Sequence, residues 1–375
     1  MAYTKGMVNA ERITALLVDL CATDSGSRNE RLMADKLKPV LEELGFTVRE
    51  DDAGSKVGGN AGNLYGRLEG TAAGEPLLFS AHMDRVTPGL GVKPRIEGGA
   101  ILSDGTTILG ADDAAGIAAV LEAVRVLKER NLPYPTIEVG FTIGEEVGLL
   151  GARHLDYGWF TSRLGFALDS GGKVGEIVVK APSQAKLTAT FRGKAAHAGV
   201  SPEKGVSAIQ IAAVAIAGMK LLRIDAETTA NIGSITAEGP TNIVPETCKI
   251  VAEARSLSQE KLEAQVADMQ RCCEEAARQF GGAAEVEVLR SYSAFNLSPE
   301  SAPVKRAAAA AELIGAPVSI TSTGGGSDAN IFNGNGIPMA VLGVGYEEIH
   351  STRERMPIDQ LVALAEWTLA IIGQQ

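Results

Sequence analysis

The sequence predicts an α/β fold with a mostly parallel sheet, interrupted by a smaller inserted α+β sandwich. In the first part of the chain, short apolar runs alternate with segments of helical periodicity, as in parallel sheets that helices cover on both faces. After Pro182 the pattern changes to half-exposed strands around two helices, and the earlier alternation resumes near Ala294. We therefore divide the chain into a discontinuous first domain, residues 1–182 and 293–375, and an inserted domain, residues 183–292.

Apolar periodicity indicates the elements that precede the insertion. The apolar run 77–81 is typical of a strand in a sheet that is covered on both faces. Asp24, Ser25 and Ser27 are candidate N-caps for the second helix. The predicted order is helices 8–20 and 27–45, strands 46–49, 63–68 and 76–82, helix 114–130, and strands 136–143 and 164–168.

The insertion and the segment that follows it have separate patterns. The insertion is predicted as strand 186–192, helix 205–222, strands 233–237 and 248–256, helix 259–279 and strand 284–289. The first domain then continues with helix 302–314, strands 317–321 and 338–344, and helix 359–372. The simplest topology is therefore one sheet domain that an α+β domain interrupts.

Composition and charge exclude several classes of partner. The 375 residues carry a formal net charge of −11 and contain no run of Lys or Arg, so nucleic acid and anionic membranes are not expected partners. The N-terminus lacks the apolar segment of a secretion signal, and no apolar run is long enough to span a bilayer. The four cysteines lack C-x-x-C spacing, which indicates buried thiols in a reducing compartment. We expect a soluble, cytoplasmic protein.

Candidate functional residues lie at the ends of predicted strands or in the loops after them. They are His82, Asp84, Asp112, Asp113, Glu145, Glu146, Asp169 and His350. Each has an ordinary structural explanation when taken alone: a surface histidine, a helix N-cap or a solvated acidic pair. Taken together they favour function, because ligands of open parallel sheets bind where the carboxyl ends of the strands meet.

Two imidazoles and several carboxylates at one sheet edge suit a divalent metal site. Nitrogen and oxygen donors of this kind bind Zn²⁺, Mn²⁺ or Co²⁺. The number of candidate ligands indicates two ions, about 3.5–4 Å apart and bridged by one carboxylate. An adjacent pair such as Glu145 and Glu146 can give one carboxylate to a metal and keep the other as a general base.

Seven short segments carry a family resemblance. In the first domain they are S-A-H-M-D (80–84), G-A-D-D-A-A-G (110–116), G-E-E-V-G (144–148), A-L-D-S (167–170) and I-H-S-T-R-E (349–354). In the insertion they are G-K-A-A-H-A-G-V-S-P-E-K-G (193–205) and T-N-I-V-P (241–245). In these segments and in their order the chain resembles the M20 metallopeptidases, and within them the peptidase T branch. The resemblance implies a zinc-peptidase catalytic domain with an inserted lid and dimerisation domain.

The resemblance also implies a role for each residue at the sheet edge. Glu145 would be the general base, and Asp84 would orient His82. A cis peptide bond is expected between Asp112 and Asp113. The cofactors would be two divalent ions, with Zn²⁺ expected and Mn²⁺ or Co²⁺ as alternatives. The implied ligands are His82, Asp112 and Asp169 for one ion, and Asp112, Glu146 and His350 for the other, with Asp112 as the bridge.

In the insertion, the resemblance implies residues that contact substrate. His197 would stabilise the oxyanion of the tetrahedral intermediate. Asn242 and Arg255 would hold a substrate carboxylate, a task that suits a planar guanidinium, and Gly325 would lie in a glycine-rich loop near the substrate backbone. The same domain would join two copies into a homodimer. His154 matches no ligand position, and we expect it to be structural.

The activity implied by the resemblance is removal of the N-terminal residue from short peptides, as in a tripeptide aminopeptidase. Asp169 favours the peptidase T and dipeptidase branches, because the carboxypeptidase and deacylase branches usually carry Glu at that position. The alternatives with the same metal site are an N-acyl amino-acid deacylase, a carboxypeptidase or a dipeptidase. A non-catalytic binding protein would be expected to lack a ligand or the base, and none is missing. A nicotinamide-dependent oxidoreductase would need a G-x-G-x-x-G turn after an early strand, which is absent.

Overall fold

The chain folds into two units, and each has its own core of buried apolar side chains. The structure is a computed structural model that describes residues 5–374. Unit 1 contains the described residues up to Val179, Asn296–Ser322 and the described residues from Ser327 onward. Unit 2 contains Lys180–Phe295 and Thr323–Gly326. The predicted α/β class with a sheet-rich insertion is confirmed.

The helices follow the apolar periodicity of the sequence. They are α1 (Ala10–Ala22), α2 (Arg31–Glu43), α3 (Ala53–Val57), α4 (Ala111–Glu129), α5 (Ala208–Gly218), α6 (Gln259–Phe280), α7 (Ala302–Ile314), α8 (Asp328–Gly334) and α9 (Ile358–Gly373). The longer helices lie within a few residues of their predicted limits. The short helices α3 and α8 have no counterpart in the prediction.

The strands include all of the predicted ones and several short additions. They are β1 (Thr47–Glu50), β2 (Leu64–Leu68), β3 (Leu77–His82), β4 (Arg95–Glu97), β5 (Ala100–Leu102), β6 (Ile137–Thr142), β7 (Leu164–Ser170), β8 (Glu176–Ala181), β9 (Ser183–Arg192), β10 (Leu222–Arg223), β11 (Thr228–Thr236), β12 (Thr247–Ser256), β13 (Ala283–Tyr292), β14 (Phe295–Asn296), β15 (Ser319–Ser322), β16 (Met339–Gly343) and β17 (Arg355–Pro357). The strands that the sequence did not predict are β4, β5, β8, β10, β14 and β17.

Unit 1 is built on a sheet whose middle strands run parallel. The strand order is β1-β2-β6-β3-β7-β16-β8-β14, with β15 beside β8. The pairs β6–β3, β3–β7 and β7–β16 are parallel, whereas β1–β2, β2–β6 and β16–β8 are antiparallel. β3 and β6 are buried along their whole length, as expected for parallel strands covered on both faces. The parallel strands therefore place their carboxyl ends along one edge of the sheet.

Unit 2 is an antiparallel sheet with two packed helices. Its strand order is β10-β11-β12-β9-β13, and each neighbouring pair is antiparallel. α5 and α6 pack against each other and against β9 and β12. All four cysteines of the chain are free and buried, and three of them lie in the core of this unit. Across residues 5–374, no helix is both long and apolar enough to cross a bilayer.

The start of α2 differs from the prediction. The helix begins at Arg31, and its N-cap is Glu30, whose side chain makes no capping hydrogen bond. The predicted caps bind elsewhere: Asp24 accepts from the N–H of Gly91, Ser25 donates to the carbonyl of Met83, and Ser27 donates to the carboxylate of Asp84. The N-cap prediction was wrong because local spacing does not reveal partners that are distant in sequence and compete for these side chains.

Candidate metal centre

Parallel strands of unit 1 bring the candidate ligands to one edge of the sheet. His82 is the last residue of β3, and Asp169 is the penultimate residue of β7. Glu145 and Glu146 follow β6, and His350 follows β16. Because these four strands are neighbours and run parallel, their carboxyl ends place residues from distant parts of the chain side by side.

Asp112 reaches this edge from the start of α4. Its backbone is extended rather than helical, with φ −81° and ψ 104°, and the peptide bond to Asp113 is cis, as the resemblance implies. Asp112 Oδ1 lies 3.2 Å from His82 Nε2, and Asp112 Oδ2 lies 3.3 Å from His350 Nε2. One carboxylate thus stands between two imidazoles, with one oxygen directed at each.

Two side chains without a predicted role hold Asp112 in place. The Tyr346 hydroxyl donates to Asp112 Oδ1 at 3.2 Å. The buried carboxylate of Glu354 accepts from the backbone N–H of Asp112 at 3.2 Å and from those of Leu109 and Gly110 at 2.9 Å. Glu354 is the last residue of the I-H-S-T-R-E segment, and this position could have indicated a role for it. No motif in the sequence indicated a role for Tyr346.

The hydrogen bonds of His82 determine which ring nitrogen faces the cluster. His82 Nδ1 lies 2.9 Å from the carbonyl oxygen of Asp84. Because a carbonyl only accepts, Nδ1 carries the hydrogen, and the neutral ring then presents the Nε2 lone pair. The Asp84 carboxylate is farther from Nδ1, at 3.6 Å, and it accepts from the N–H groups of Glu145 and Glu146 at 2.9 and 3.3 Å. Asp84 therefore contacts both His82 and the acidic pair.

The potential ligand atoms form two groups around His82. Within each group, one atom per residue lies within 4.8 Å of the others. His350 Nε2 lies 3.0 Å from Glu146 Oε1 and thereby joins the group that contains Glu146. The groups are His82, Asp112 and Glu146, and His82, Asp113 and Asp169.

Asp113 is a member of the cluster to which the sequence analysis gave no ligand role. Its Oδ1 accepts from the N–H of Gly116 at 3.2 Å, whereas its buried Oδ2 has no hydrogen-bond partner among residues 5–374. A buried oxygen of this kind is rare in folded proteins and calls for a proton or a cation. Its position directly after Asp112 in G-A-D-D was the only sequence signal.

The groups of this cluster shift one another's pKa values. Burial raises the pKa of Glu145 and of Asp169 well above the usual carboxyl range, and for Glu145 the charge of Asp169 adds to the effect. Hydrogen bonds raise the pKa of His350 to about 10, and the bond to Asp112 has a larger effect than the bond to Glu146. Burial lowers the pKa of His82, but its hydrogen bond to Asp112 and the charge of that carboxylate outweigh burial and raise the pKa overall. The cluster therefore carries negative charge that cations or protons must balance.

The donor set fits divalent metal ions. Imidazole nitrogens and carboxylate oxygens are the ligands of Zn²⁺ in catalytic sites and also suit Mn²⁺ and Co²⁺. Asp112 directs one oxygen at each histidine, as a bridging carboxylate does. Burial, to which the charge of Asp169 adds, raises the pKa of Asp113 well above its usual range. A cation here would balance the charge of this carboxylate, whose Oδ2 is unpaired within residues 5–374.

The predicted substrate-binding residues lie in unit 2, where they form two pairs. His197 makes a β-bridge with Ile243, and the carbonyl of Asn242 accepts from the N–H of Ala198 at 2.9 Å. Arg255, on β12, forms an ion pair with Glu253 at 2.9 Å and lies 3.4 Å from the carbonyl of Gly324, next to Gly325. Their roles toward substrate remain predictions. His154 lies in a 3₁₀ turn, Ala152–His154, and belongs to neither group of potential ligands.

Comparison with known proteins decides the family. A sequence model of "Peptidase family M20/M25/M40" matches residues 78–374, a range that includes every residue of the cluster. The chain belongs to this family. The prediction of an M20 peptidase is confirmed, and the sheet edge with its acidic cluster is the part of this peptidase that can hold metal.

One curated relative and two solved structures cover almost the whole M20 chain, and a further relative matches part of it. The "Uncharacterized protein YqjE" of Bacillus subtilis is 50% identical over 98% of this chain and 99% of its own length. Aminopeptidase PepT of Bacillus cereus has a structure with a TM-score of 0.90 and 52% identity, covering 98% of this chain and 99% of that one. A tripeptidase of Staphylococcus aureus has a TM-score of 0.95 and 43% identity, with the same coverage. Peptidase T of Escherichia coli is 38% identical over 37% of this chain and 31% of its own length.

Proposed function

We propose that this M20 peptidase is a two-metal aminopeptidase that removes the N-terminal residue from short peptides, tripeptides in particular. The observation that carries the proposal is the Asp112 carboxylate, which stands between two imidazoles with one oxygen directed at each. The carboxylates of Glu146 and Asp169 lie around it, and Glu145 lies next to Glu146. This is the arrangement that two ions and a general base require.

The residues of unit 1 have separate roles in the proposed hydrolysis. When bound, divalent cations polarise the scissile carbonyl and lower the pKa of water in the site. Glu145 then accepts a proton from the attacking water and delivers it to the leaving amine. Burial supports this role because it raises the proton affinity of the Glu145 carboxylate. Asp84 holds the backbone of Glu145 and also fixes the ring of His82.

Unit 2 supplies the residues for substrate contact. We assign His197 to the oxyanion, and Asn242 and Arg255 to the substrate carboxylate, with Gly325 beside the substrate backbone. The planar guanidinium of Arg255 suits a bidentate carboxylate contact. The two pairs that these residues form within unit 2 support a shared function.

The choice of substrate rests on the similar proteins. The structures of an aminopeptidase and of a tripeptidase match 98% of this chain at 52% and 43% identity. Identity at this level over whole chains favours a shared substrate class. The deacylase, carboxypeptidase and dipeptidase activities use the same metal chemistry, so substrate ends must distinguish them.

A matched set of substrates tests this proposal. We expect metal-dependent release of the N-terminal residue from a free tripeptide. The C-amidated tripeptide should react in the same way but more slowly. The N-acetylated tripeptide and an N-acyl amino acid should not be hydrolysed. The products are identified by mass spectrometry after reconstitution with Zn²⁺, Mn²⁺ or Co²⁺. Hydrolysis of the N-acyl amino acid with the tripeptide left intact would assign the protein to the deacylases. Release of the C-terminal residue would assign it to the carboxypeptidases.

We assign Zn²⁺ as the working ion and the cytoplasm as the location. Two imidazoles among carboxylates favour zinc over magnesium or calcium, which prefer oxygen ligands alone. The four free, buried cysteines support a reducing compartment. Activity that returned with Mn²⁺ or Co²⁺ but not with Zn²⁺ would reject the zinc assignment.

We also propose that the protein is a homodimer through unit 2. Support comes from α5, whose outward face is apolar: Ile209, Ala213, Val214 and Ala217 are all exposed. β11 pairs with the two-residue strand β10 only at Thr229 and Ala230, so most of its outer edge is unpaired within residues 5–374. An exposed apolar helix face and an open strand edge in the same unit favour a second copy as the partner.

Val214→Asp is expected to convert the dimer into a monomer, because it places a charge in the centre of the apolar face of α5. Light scattering after size-exclusion chromatography should give twice 39.0 kDa for the wild type and 39.0 kDa for the variant. Leu313→Asp is the control, since Leu313 is an exposed leucine on a helix of unit 1, and it should leave the mass of the dimer unchanged. A monomeric wild type at micromolar concentration would reject the dimer.

A further inference from the structure

The loop between α1 and α2 lies against two strand ends of the metal centre. Ser25 donates its hydroxyl to the carbonyl of Met83 at 2.6 Å, and Ser27 donates to Asp84 Oδ2 at 2.6 Å. Both acceptors directly follow β3. The last residue of the loop, Glu30, turns its carboxylate toward the segment that follows β6. The loop is distant in sequence from every candidate ligand and is not part of the proposed chemistry.

The segment that follows β6 is held through four consecutive backbone N–H groups, residues 143–146. Each N–H donates to an oxygen of a buried side chain that is distant in sequence. Asn63, Glu30 and Asp84 supply these oxygens and are 0%, 0% and 1% exposed. The bonds run from Ile143 to Asn63 Oδ1 at 3.1 Å, from Gly144 to Glu30 Oε1 at 3.0 Å, from Glu145 to Asp84 Oδ1 at 2.9 Å and from Glu146 to Asp84 Oδ2 at 3.3 Å.

Glu30 is the member of this series that connects the segment to the loop between α1 and α2. It occupies the N-cap position of α2 but makes no capping hydrogen bond. Its Oε1 also accepts from the N–H of Arg28 at 2.7 Å, while its Oε2 has no hydrogen-bond partner within the described chain. Burying a carboxylate is unfavourable unless its hydrogen bonds compensate. The hydrogen bonds from Arg28 and Gly144 together compensate for the burial of this carboxylate, and the bond from Gly144 links it to the segment that follows β6.

Gly144 is the point at which the chain turns toward the site. Its φ is +58°, a conformation that glycine adopts readily and other residues rarely do. Glu145 and Glu146 follow directly, so the orientation of the Gly144 peptide determines where both side chains begin. A hydrogen bond to this N–H restrains that orientation.

We propose that Glu30 is a positioning residue that holds Gly144, and through it the Glu145 side chain, in the orientation that proton transfer requires. The proposal rests on the proposed role of Glu145 as general base. Glu30 contacts no candidate ligand itself, and its action passes through the backbone. Removing its acceptor leaves the Gly144 N–H unrestrained between Ile143, which Asn63 holds, and Glu145, which Asp84 holds.

Hydrogen–deuterium exchange of the metal-free protein tests the positioning directly. In Glu30→Ala the peptide that contains residues 143–146 should exchange faster by about tenfold to a hundredfold, as expected when a hydrogen bond to a charged acceptor is lost. Glu30→Gln keeps an acceptor oxygen of the same reach and should exchange nearly as slowly as the wild type. Unchanged exchange in Glu30→Ala would overturn the proposal, whatever the activity.

Kinetics of the metal-loaded enzyme test the consequence. In Glu30→Ala, kcat for a free tripeptide should fall by about tenfold to a hundredfold, the range typical of residues that orient a catalytic centre indirectly. KM should change by less than about threefold, because substrate contacts remain, and Glu30→Gln should recover most of kcat. A loss confined to KM, or no recovery in Glu30→Gln, would contradict a positioning role.

Glu138→Ala is the control for a general loss of stability. Glu138 is also buried and lies on β6, but at its amino end, where it accepts from the N–H groups of Thr161 and Ser162 at 3.0 Å. We expect this variant to lower Tm while keeping kcat and the exchange of residues 143–146 unchanged. An equal loss of kcat in Glu138→Ala would show that instability alone explains the effect. If the wild type hydrolysed no free peptide, the proposed function would fail, and the exchange experiment would still decide the role of Glu30.

Discussion

Glu145→Gln is expected to lower kcat for a free tripeptide by about 10³-fold without loss of metal binding. The substitution preserves the size of the side chain but removes the carboxylate that accepts the proton, and general acid–base groups contribute about 10²–10⁴-fold. The backbone N–H of residue 145 can still donate to Asp84, as it does at 2.9 Å in the wild type. Initial rates and metal content by mass spectrometry measure the two effects on the same sample.

Glu146→Gln is the contrasting variant for this prediction. The Glu146 carboxylate lies 3.0 Å from His350 Nε2 and is an expected ligand. Replacing it with the amide of Gln should therefore weaken metal binding. The pair of variants therefore separates the two adjacent glutamates by role. A nearly normal kcat in Glu145→Gln would show that another residue is the general base. Loss of metal from Glu145→Gln would show that Glu145 is a metal ligand.

His350→Ala should release one of two bound ions and reduce turnover to near the background rate. His350 Nε2 lies within 3.3 Å of both Asp112 and Glu146, the other two expected ligands of that ion. Loss of an indirect partner already weakens a metal site by about 10–100-fold, so loss of a direct ligand should exceed that range. Titration of the metal-free protein with Zn²⁺, followed by calorimetry, should give two sites in the wild type and one in the variant.

His154→Ala provides the matched control for the histidine variant. This residue lies in a 3₁₀ turn and belongs to neither group of potential ligands in the described chain. It should bind two ions and retain normal kcat. Two tight sites in His350→Ala would remove His350 from the ligand set.

The large sheet could be predicted because the apolar residues that mark its central strands are consecutive in the sequence. β3 and β6 are mostly apolar and buried along their length. β3 ends at His82, and the acidic pair follows β6. Once the strands are taken as parallel, the convergence of His82 and Glu145 on one edge follows from topology alone. The candidate ligands were therefore accessible without coordinates.

Features that depend on partners distant in sequence could not be predicted in this way. Ser27 looked like a helix cap, but its hydroxyl donates to Asp84 at 2.6 Å. The carboxylate of Asp84 was expected to orient His82. It lies 3.6 Å from His82 Nδ1 and closer, at 2.9 Å, to the backbone N–H of Glu145. In both cases several acceptors were compatible with the local sequence, and the tertiary fold selected one.

Short elements were missed for a different reason. α8 begins with a capping box between Ser327 and Asn330, a signal that the preceding run of glycines obscured. β14 lies at one side of the large sheet, beyond β16 and β8, and its two residues are too few for a clear pattern. Tertiary pairing, rather than local periodicity, stabilises such elements.

The placement of β16 has a consequence for biosynthesis. β16 lies between β7 and β8 in the sheet, and it leads to His350, which contacts Glu146 across 204 residues of sequence. During translation the acidic ligands therefore leave the ribosome long before the strand that completes the sheet and the second imidazole. A prematurely terminated chain lacks both and carries no complete metal centre. We therefore expect no peptidase activity from a chain that ends before His350.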